Sequence, residues 1–250
     1  MKILLTNDDG IFAEGLCALY RTLALDHEVV VVAPEAERSA VGHAITLSDP
    51  LRVKIVRRGK EFWGYAVSGT PADCVKIAFY ELVGPVDLVI SGINRGANVG
   101  INVLYSGTVS AATEAAILGT PALAVSLAAY ENEDYCFAAY FISTLVEELI
   151  HWPLPKTFCL NINVPNIPAH LIKGVKLTRQ GTRKLKERFE KRVDPHGNIY
   201  YWQCGEEFLE EDPSTDVIAI KQGFISITPL NYDLTDFPLL QTLANIQIPY

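Results

Sequence analysis

The run "HEVVVVAPE" (His27–Glu35) constrains this chain more than any other segment. Four consecutive valines leave no polar face, and β-branched side chains favour extended backbone. A strand apolar on both faces belongs inside a sheet that is covered on both sides. The flanking sequence supplies the cover. "KILLT" reads as another short strand, and "GIFAEGLCALYRTLAL" places Leu16, Leu19, Tyr20 and Leu23 at helical spacing. Further on come "VDLVISG", a helix from about Thr108 to Leu118, "TPALAVSL", a helical pattern from about Asp134 to His151, and "TFCLNINVP". Alternation of this kind predicts an α/β fold, with a mostly parallel sheet and helices on both faces.

Ligands of such sheets bind in the crevice at the carboxyl ends of the strands. Three polar segments, "NDDG", "PEAERSA" and "SGINRGAN", each follow a predicted strand and so converge on that edge. Asp8 and Asp9 are the most unusual of these residues. Adjacent carboxylates repel, so they either share a proton or hold a hard cation. Gly10 lets the backbone turn so that both point into the crevice. The plainer reading is an N-cap for a helix beginning near Ile11, but one aspartate suffices for a cap. Asn94 and Asn98, separated by glycine and alanine, offer amide oxygens beside a closely approaching backbone. "YSGTVSAATEA" starts a helix at Ser106, Gly107 and Thr108, whose free N–H groups suit a phosphate. A simple Ser N-cap is the alternative there. Ser39 and His43, in "ERSAVGHAIT", are weak candidates by themselves, and no G-x-S-x-G elbow supports a serine nucleophile. In "SGTPADCV", Thr70, Pro71 and Asp73 make a capping box.

The remainder bounds the function. The chain has 250 residues and a formal net charge of −8, which argues against a stable nucleic-acid complex or an anionic membrane surface. The five cysteines (Cys17, Cys74, Cys136, Cys159 and Cys204) lack zinc spacing and mostly sit among apolar residues. The initial "ILL" is too short for a signal-peptide core, and no apolar run approaches the ~18 residues of a membrane span. The expectation is a soluble, cytoplasmic protein. "LRVKIVRRGKEFWGYAV" predicts two antiparallel strands joined by a basic turn. From about Gly174 the basic "RQGTRKLKERFEKR" and the aromatic "VDPHGNIYYW" predict a projecting hairpin arm, and "FPLLQTLANI" a short terminal helix.

Taken in order, "ILLTNDDG", "PEAERSAVGHAIT", "SGTPADCV", "SGINRGANVG", "YSGTVSAATEA" and "ITPLNYDLT" resemble the signature segments of the SurE (survival protein E) family. The resemblance implies a Rossmann-like core over about residues 1–170. It implies a hairpin arm and C-terminal oligomerisation segment over about 171–250, together forming one domain in a homodimer or homotetramer. It also implies a metal-dependent nucleotidase acting on nucleoside 5′- and 3′-monophosphates, with one Mg²⁺ or Mn²⁺ per subunit. Carried onto this chain, the metal ligands are Asp8, Asp9, Ser39 and Asn94, and Ser106, Gly107 and Thr108 bind the phosphate. Asp8 and Asp9 are the catalytic candidates, and Asn94 and Asn98 join the substrate site. Activated water and an aspartyl-phosphate intermediate are both open routes.

Other classes fit less well. Haloacid-dehalogenase-like phosphatases space their aspartates D-x-D, whereas here the pair is adjacent. A receiver-like signalling module needs a phosphoacceptor aspartate after its third core strand, where this chain has "SGINRGAN". A non-catalytic nucleotide-binding protein would bind without metal-dependent turnover.

Overall fold

Strand β1 (Lys2–Thr6) lies at the centre of the main sheet, paired in parallel with β2 (Glu28–Pro34) on one side and β5 (Leu88–Arg95) on the other. The computed structural model describes residues 1–129, 131–183 and 185–247. The remaining strands are β3 (Val53–Arg58), β4 (Glu61–Val67), β6 (Ala122–Ala128), β7 (Cys159–Pro165), β8 (Val175–Leu177) and β11 (Ile225–Leu230). The sheet order is β3-β4-β2-β1-β5-β6-β7-β11-β8. Six strands from β4 to β7 run parallel. The antiparallel pairs β3–β4 and β7–β11 flank them. Because the chain leaves β1 toward β2 and later returns to pair with β5, the strand order reverses beside β1. That reversal opens a crevice at the carboxyl ends of these strands.

Period-two alternation assigns each strand to two cores. Ile3 and Leu5 of β1 face one side, with Leu16, Leu19 and Leu23 of helix α1 (Glu14–Leu23) and Ile142 and Val146 of helix α4 (Cys136–Leu149). Leu4 faces the other, with Cys74 and Val75 of helix α2 (Pro71–Ile77) and Val109 and Ala112 of helix α3 (Gly107–Ile117). The Val29–Val32 run thus packs both ways, as expected of a doubly covered strand. The capping box on α2 is present: the Thr70 hydroxyl accepts from the Asp73 N–H, and Asp73 accepts from the Thr70 N–H. Cys17, Cys74 and Cys159 are buried, while Cys136 is exposed.

The predicted arm is a separate two-stranded sheet of β9 (Leu185–Val193) and β10 (Ile199–Phe208). Lys184 of the basic run lies outside the described residues. A short helix, α5 (Asp216–Lys221), precedes β11, and α6 (Phe237–Leu243) follows it with Phe237, Leu239, Leu240 and Leu243 exposed.

Helix α1 sits so close to β5 that a Cβ on Gly15 would lie 2.1 Å from the Ile93 carbonyl oxygen. A backbone oxygen inside a sheet cannot swing aside. Gly15→Ala is expected to destabilise the fold by about 1–3 kcal/mol, as overpacking does. Urea unfolding checks this, through a lower midpoint at unchanged slope.

Candidate active site

The turn after β1 builds the site's first element. Gly10 has φ +103°, and the Asn7 side chain closes the turn by bonding the Gly10 N–H and carbonyl (3.2 and 3.0 Å). Helix α1 begins only at Glu14, with Ala13 at its N-cap and no capping side chain. Neither aspartate therefore caps a helix that follows it. The two carboxylates are left for other work.

Asp8 is 4 % exposed and points at the first turn of α3. The Thr108 hydroxyl donates to its Oδ1 at 2.5 Å, and the Thr108 N–H adds a second bond. Burial pushes the Asp8 carboxyl up, and these bonds only partly oppose it. Gly107 makes the approach possible, because a Cβ there would stand 2.9 Å from the Asp8 Cβ. Ser106 is the N-cap, its hydroxyl accepting from the Val109 N–H at 3.1 Å. Asp9 is half-buried and makes a long contact of 3.4 Å with the Arg95 N–H. Burial, then the Asp8 charge, pushes its carboxyl up to about 7.

Asn94 reaches the crevice through a bulge in β5, which advances from Ser91 to Asn94 while β6 advances only from Ala124 to Ser126. The Asn94 amide nitrogen is committed to the Gly96 carbonyl (2.7 Å) and the Arg95 carbonyl (3.2 Å). That leaves its oxygen as the donor atom for a ligand. Ser39, in the loop after β2, is exposed and donates to Glu37 at 2.6 Å. The Arg38 N–H just before it bonds the Asp8 carbonyl at 2.7 Å, tying this loop to the turn after β1.

Asn98 is buried within a polar frame. Its N–H donates to Asn163, its side chain to Ser126, and its carbonyl accepts from both Asn161 and Asn163. His43 lies beside α3 instead, bonded to the buried Glu114 at 2.8 Å, with Lys76 on the carboxylate's other oxygen at 3.0 Å. It is a tether for the Ser39 loop.

Two adjoining cavities open from this cluster. The larger, about 780 Å³, is lined by Asp8, Ser39, Asn94, Asn98 and Ser106, with Tyr105, Phe189 and Gln203 among the further walls. The smaller, about 610 Å³, holds Asp9, Glu14, Glu37, Glu133 and Tyr135. Ser39 and Arg95 line both, and Arg95 is paired with Glu133. The structure thus gathers Asp8, Ser39, Asn94, Asn98 and Ser106 at one cavity, with Gly107 and Thr108 behind Asp8. Asp9 faces the neighbouring space.

A hard dication suits this donor set: two carboxylates, an amide oxygen and a hydroxyl, with no sulfur or imidazole. Among the described residues no group of three or more His, Cys, Asp or Glu forms a metal cage, so the neutral Ser39 and Asn94 would complete the set.

Sequence reasoning passed over several residues. Asn161 and Asn163 carried a readable signal, because polar residues at i and i+2 on a buried strand demand partners. Asp216 carried none. Its carboxylate accepts the Gly100 and Gly181 N–H groups, both at 2.9 Å, and so fixes the loop after β5 from far along the chain. Arg95, Tyr135, Phe189 and Gln203 reach the cavities only through the folding of separate elements.

A family model described as Survival protein SurE matches residues 3–187. The chain belongs to the SurE family. Its relatives include the 5′-nucleotidase SurE of Syntrophobacter fumaroxidans, 53 % identical over 246 residues and covering 98 % of each chain. That of Syntrophus aciditrophicus is 56 % identical, covering 97 % of this chain and 92 % of the relative. The crystal structure of the SurE protein from Aquifex aeolicus superposes with a TM-score of 0.85 at 40 % identity, covering 97 % of this chain and 98 % of that one. Among the described residues no helix is long and apolar enough to cross a membrane.

The raised carboxylates carry a signed consequence. Across about pH 4 to 7 the folded protein holds a proton at Asp9 that the unfolded chain has released. The contribution of Asp9 to metal-free stability is therefore fully present below about pH 4 and is lost as pH rises through about 7. Thermal melts in EDTA are expected to show that decline, and Asp9→Asn to flatten it.

Proposed function

We propose that this SurE-family chain is a divalent-metal-dependent phosphomonoesterase that converts nucleoside 5′- and 3′-monophosphates to nucleoside and phosphate. The observation that carries the reading is the adjacent carboxylate pair at the strand-order reversal, with Asp8 clamped to the start of α3. Its curated relatives are named 5′-nucleotidases, which supports the choice of substrate.

Asp8, Asp9, Ser39 and Asn94 would hold one Mg²⁺ or Mn²⁺. When bound, such an ion offsets phosphoryl charge and acidifies a coordinated water. Asn98 and Ser106, which line the larger cavity, hold the phosphoryl oxygens at the start of α3, where the helix favours negative charge, while Gly107 and Thr108 set that start against Asp8. Asp9, beside Arg95 where the two cavities adjoin, takes the proton of an attacking water as its oxygen bonds to phosphorus. The bond from phosphorus to the nucleoside oxygen breaks, and that oxygen takes a proton from solvent. Asp8, buried and held by Thr108, keeps its orientation throughout. Exposed apolar side chains on the arm and α6, Trp202, Phe237 and Leu240 among them, support self-association as a homodimer or homotetramer.

Phosphate release from nucleoside 5′- and 3′-monophosphates tests the proposal, with Mg²⁺, Mn²⁺ or EDTA. Turnover is expected only with metal, and Asp9→Asn is expected to lose about 10²–10⁴-fold in kcat, the range for removing a general base. No release from any nucleotide by folded, metal-loaded protein would sink it.

A further inference from the structure

Resting on that reading, we propose that the hairpin arm recognises the nucleobase, with Phe189 and Tyr105 providing an apolar seat for the base and Gln203 a carboxamide for its polar edge. The larger cavity is polar where Asp8, Asn94, Asn98 and Ser106 line it. Tyr105 and Phe189 are its aromatic residues. A space of about 780 Å³ matches a whole small-molecule ligand and far exceeds a phosphoryl group. The nucleoside therefore fills the space beyond the phosphoryl group that these two rings also line.

The arm's pairing makes Phe189 and Gln203 a unit. They are directly opposed across β9 and β10, so their side chains stand on one face of the hairpin. Both line the cavity, which turns that face toward the site. Phe189 is 60 % exposed and Tyr105 55 %, rings left open where a flat ligand can cover them. Stacking on an aromatic ring accepts any base, while a carboxamide, both donor and acceptor, can rank bases by their edges. The ligand class is thus a nucleoside monophosphate in preference to a bare sugar phosphate.

The test compares kcat/KM for adenosine 5′-monophosphate with that for ribose 5-phosphate, in Mn²⁺, for wild type, Phe189→Ala, Phe189→Tyr and Gln203→Ala. Phe189→Ala is expected to lower the ratio about tenfold through KM, the size of one lost base stack. Phe189→Tyr should restore it, and Gln203→Ala should alter the order among the four common bases. An unchanged ratio in Phe189→Ala overturns the inference, as does a wild type that hydrolyses both substrates equally well. Those results leave the phosphomonoesterase reading standing, whereas no turnover of either substrate by wild type removes that reading and the inference with it.

Discussion

A carboxylate buried against the start of a helix is the contact around which this molecule is arranged. Asp8 lies in the turn that follows β1, and the hydroxyl and N–H of Thr108 open α3, so one cluster of bonds joins the end of the central strand to a helix 100 residues later. The Arg38 N–H on the Asp8 carbonyl adds the loop after β2 to the same point. A buried carboxylate without such partners would be strongly unfavourable. Gly107 and the small side chains of α3 let the helix come close enough to supply them. Stability and site geometry therefore share the same atoms. Asp9, with only a long contact to the Arg95 N–H and Asp8 beside it, is the member left responsive to solvent and ligand.

A second tier of bonds holds the loop that completes the site. Asn98 has its N–H and carbonyl bonded to asparagines of β7 and its side chain to Ser126 of β6, so the loop after β5 is pinned to two neighbouring strands. Asp216 grips the same loop at Gly100 and carries the restraint into the C-terminal region. Gln180 adds a bond to the Gly100 carbonyl at 2.8 Å. Buried polar networks of this kind are costly unless satisfied, and satisfied they hold one arrangement against alternatives. β9 and β10 pair with each other, and much of the arm's aromatic surface is open, which suits a part that meets ligand or another subunit.

The sheet and its helices were legible in sequence because burial on two faces leaves an unmistakable mark. The valine run of β2, the spacing of α1 and the capping box of α2 all follow from local rules and reappear in the fold. The crevice was legible too, since three polar segments after three strands converge wherever the strands are parallel. The nucleotidase reading drew on a resemblance of whole motifs, and the residues alone left the role of Ser39 open.

What the sequence by itself determined is the layered α/β architecture and the placing of "NDDG" and "SGINRGAN" at one edge, because periodicity and strand-end position are local properties. Only the tertiary structure decided that Asp8 is bonded to α3 while Asp9 is not held by that helix, since that depends on where α3 comes to rest. It alone placed Asp216 beneath Gly100 and Phe189 at the larger cavity. Those contacts join residues tens of positions apart, and no local pattern records a partner chosen by packing.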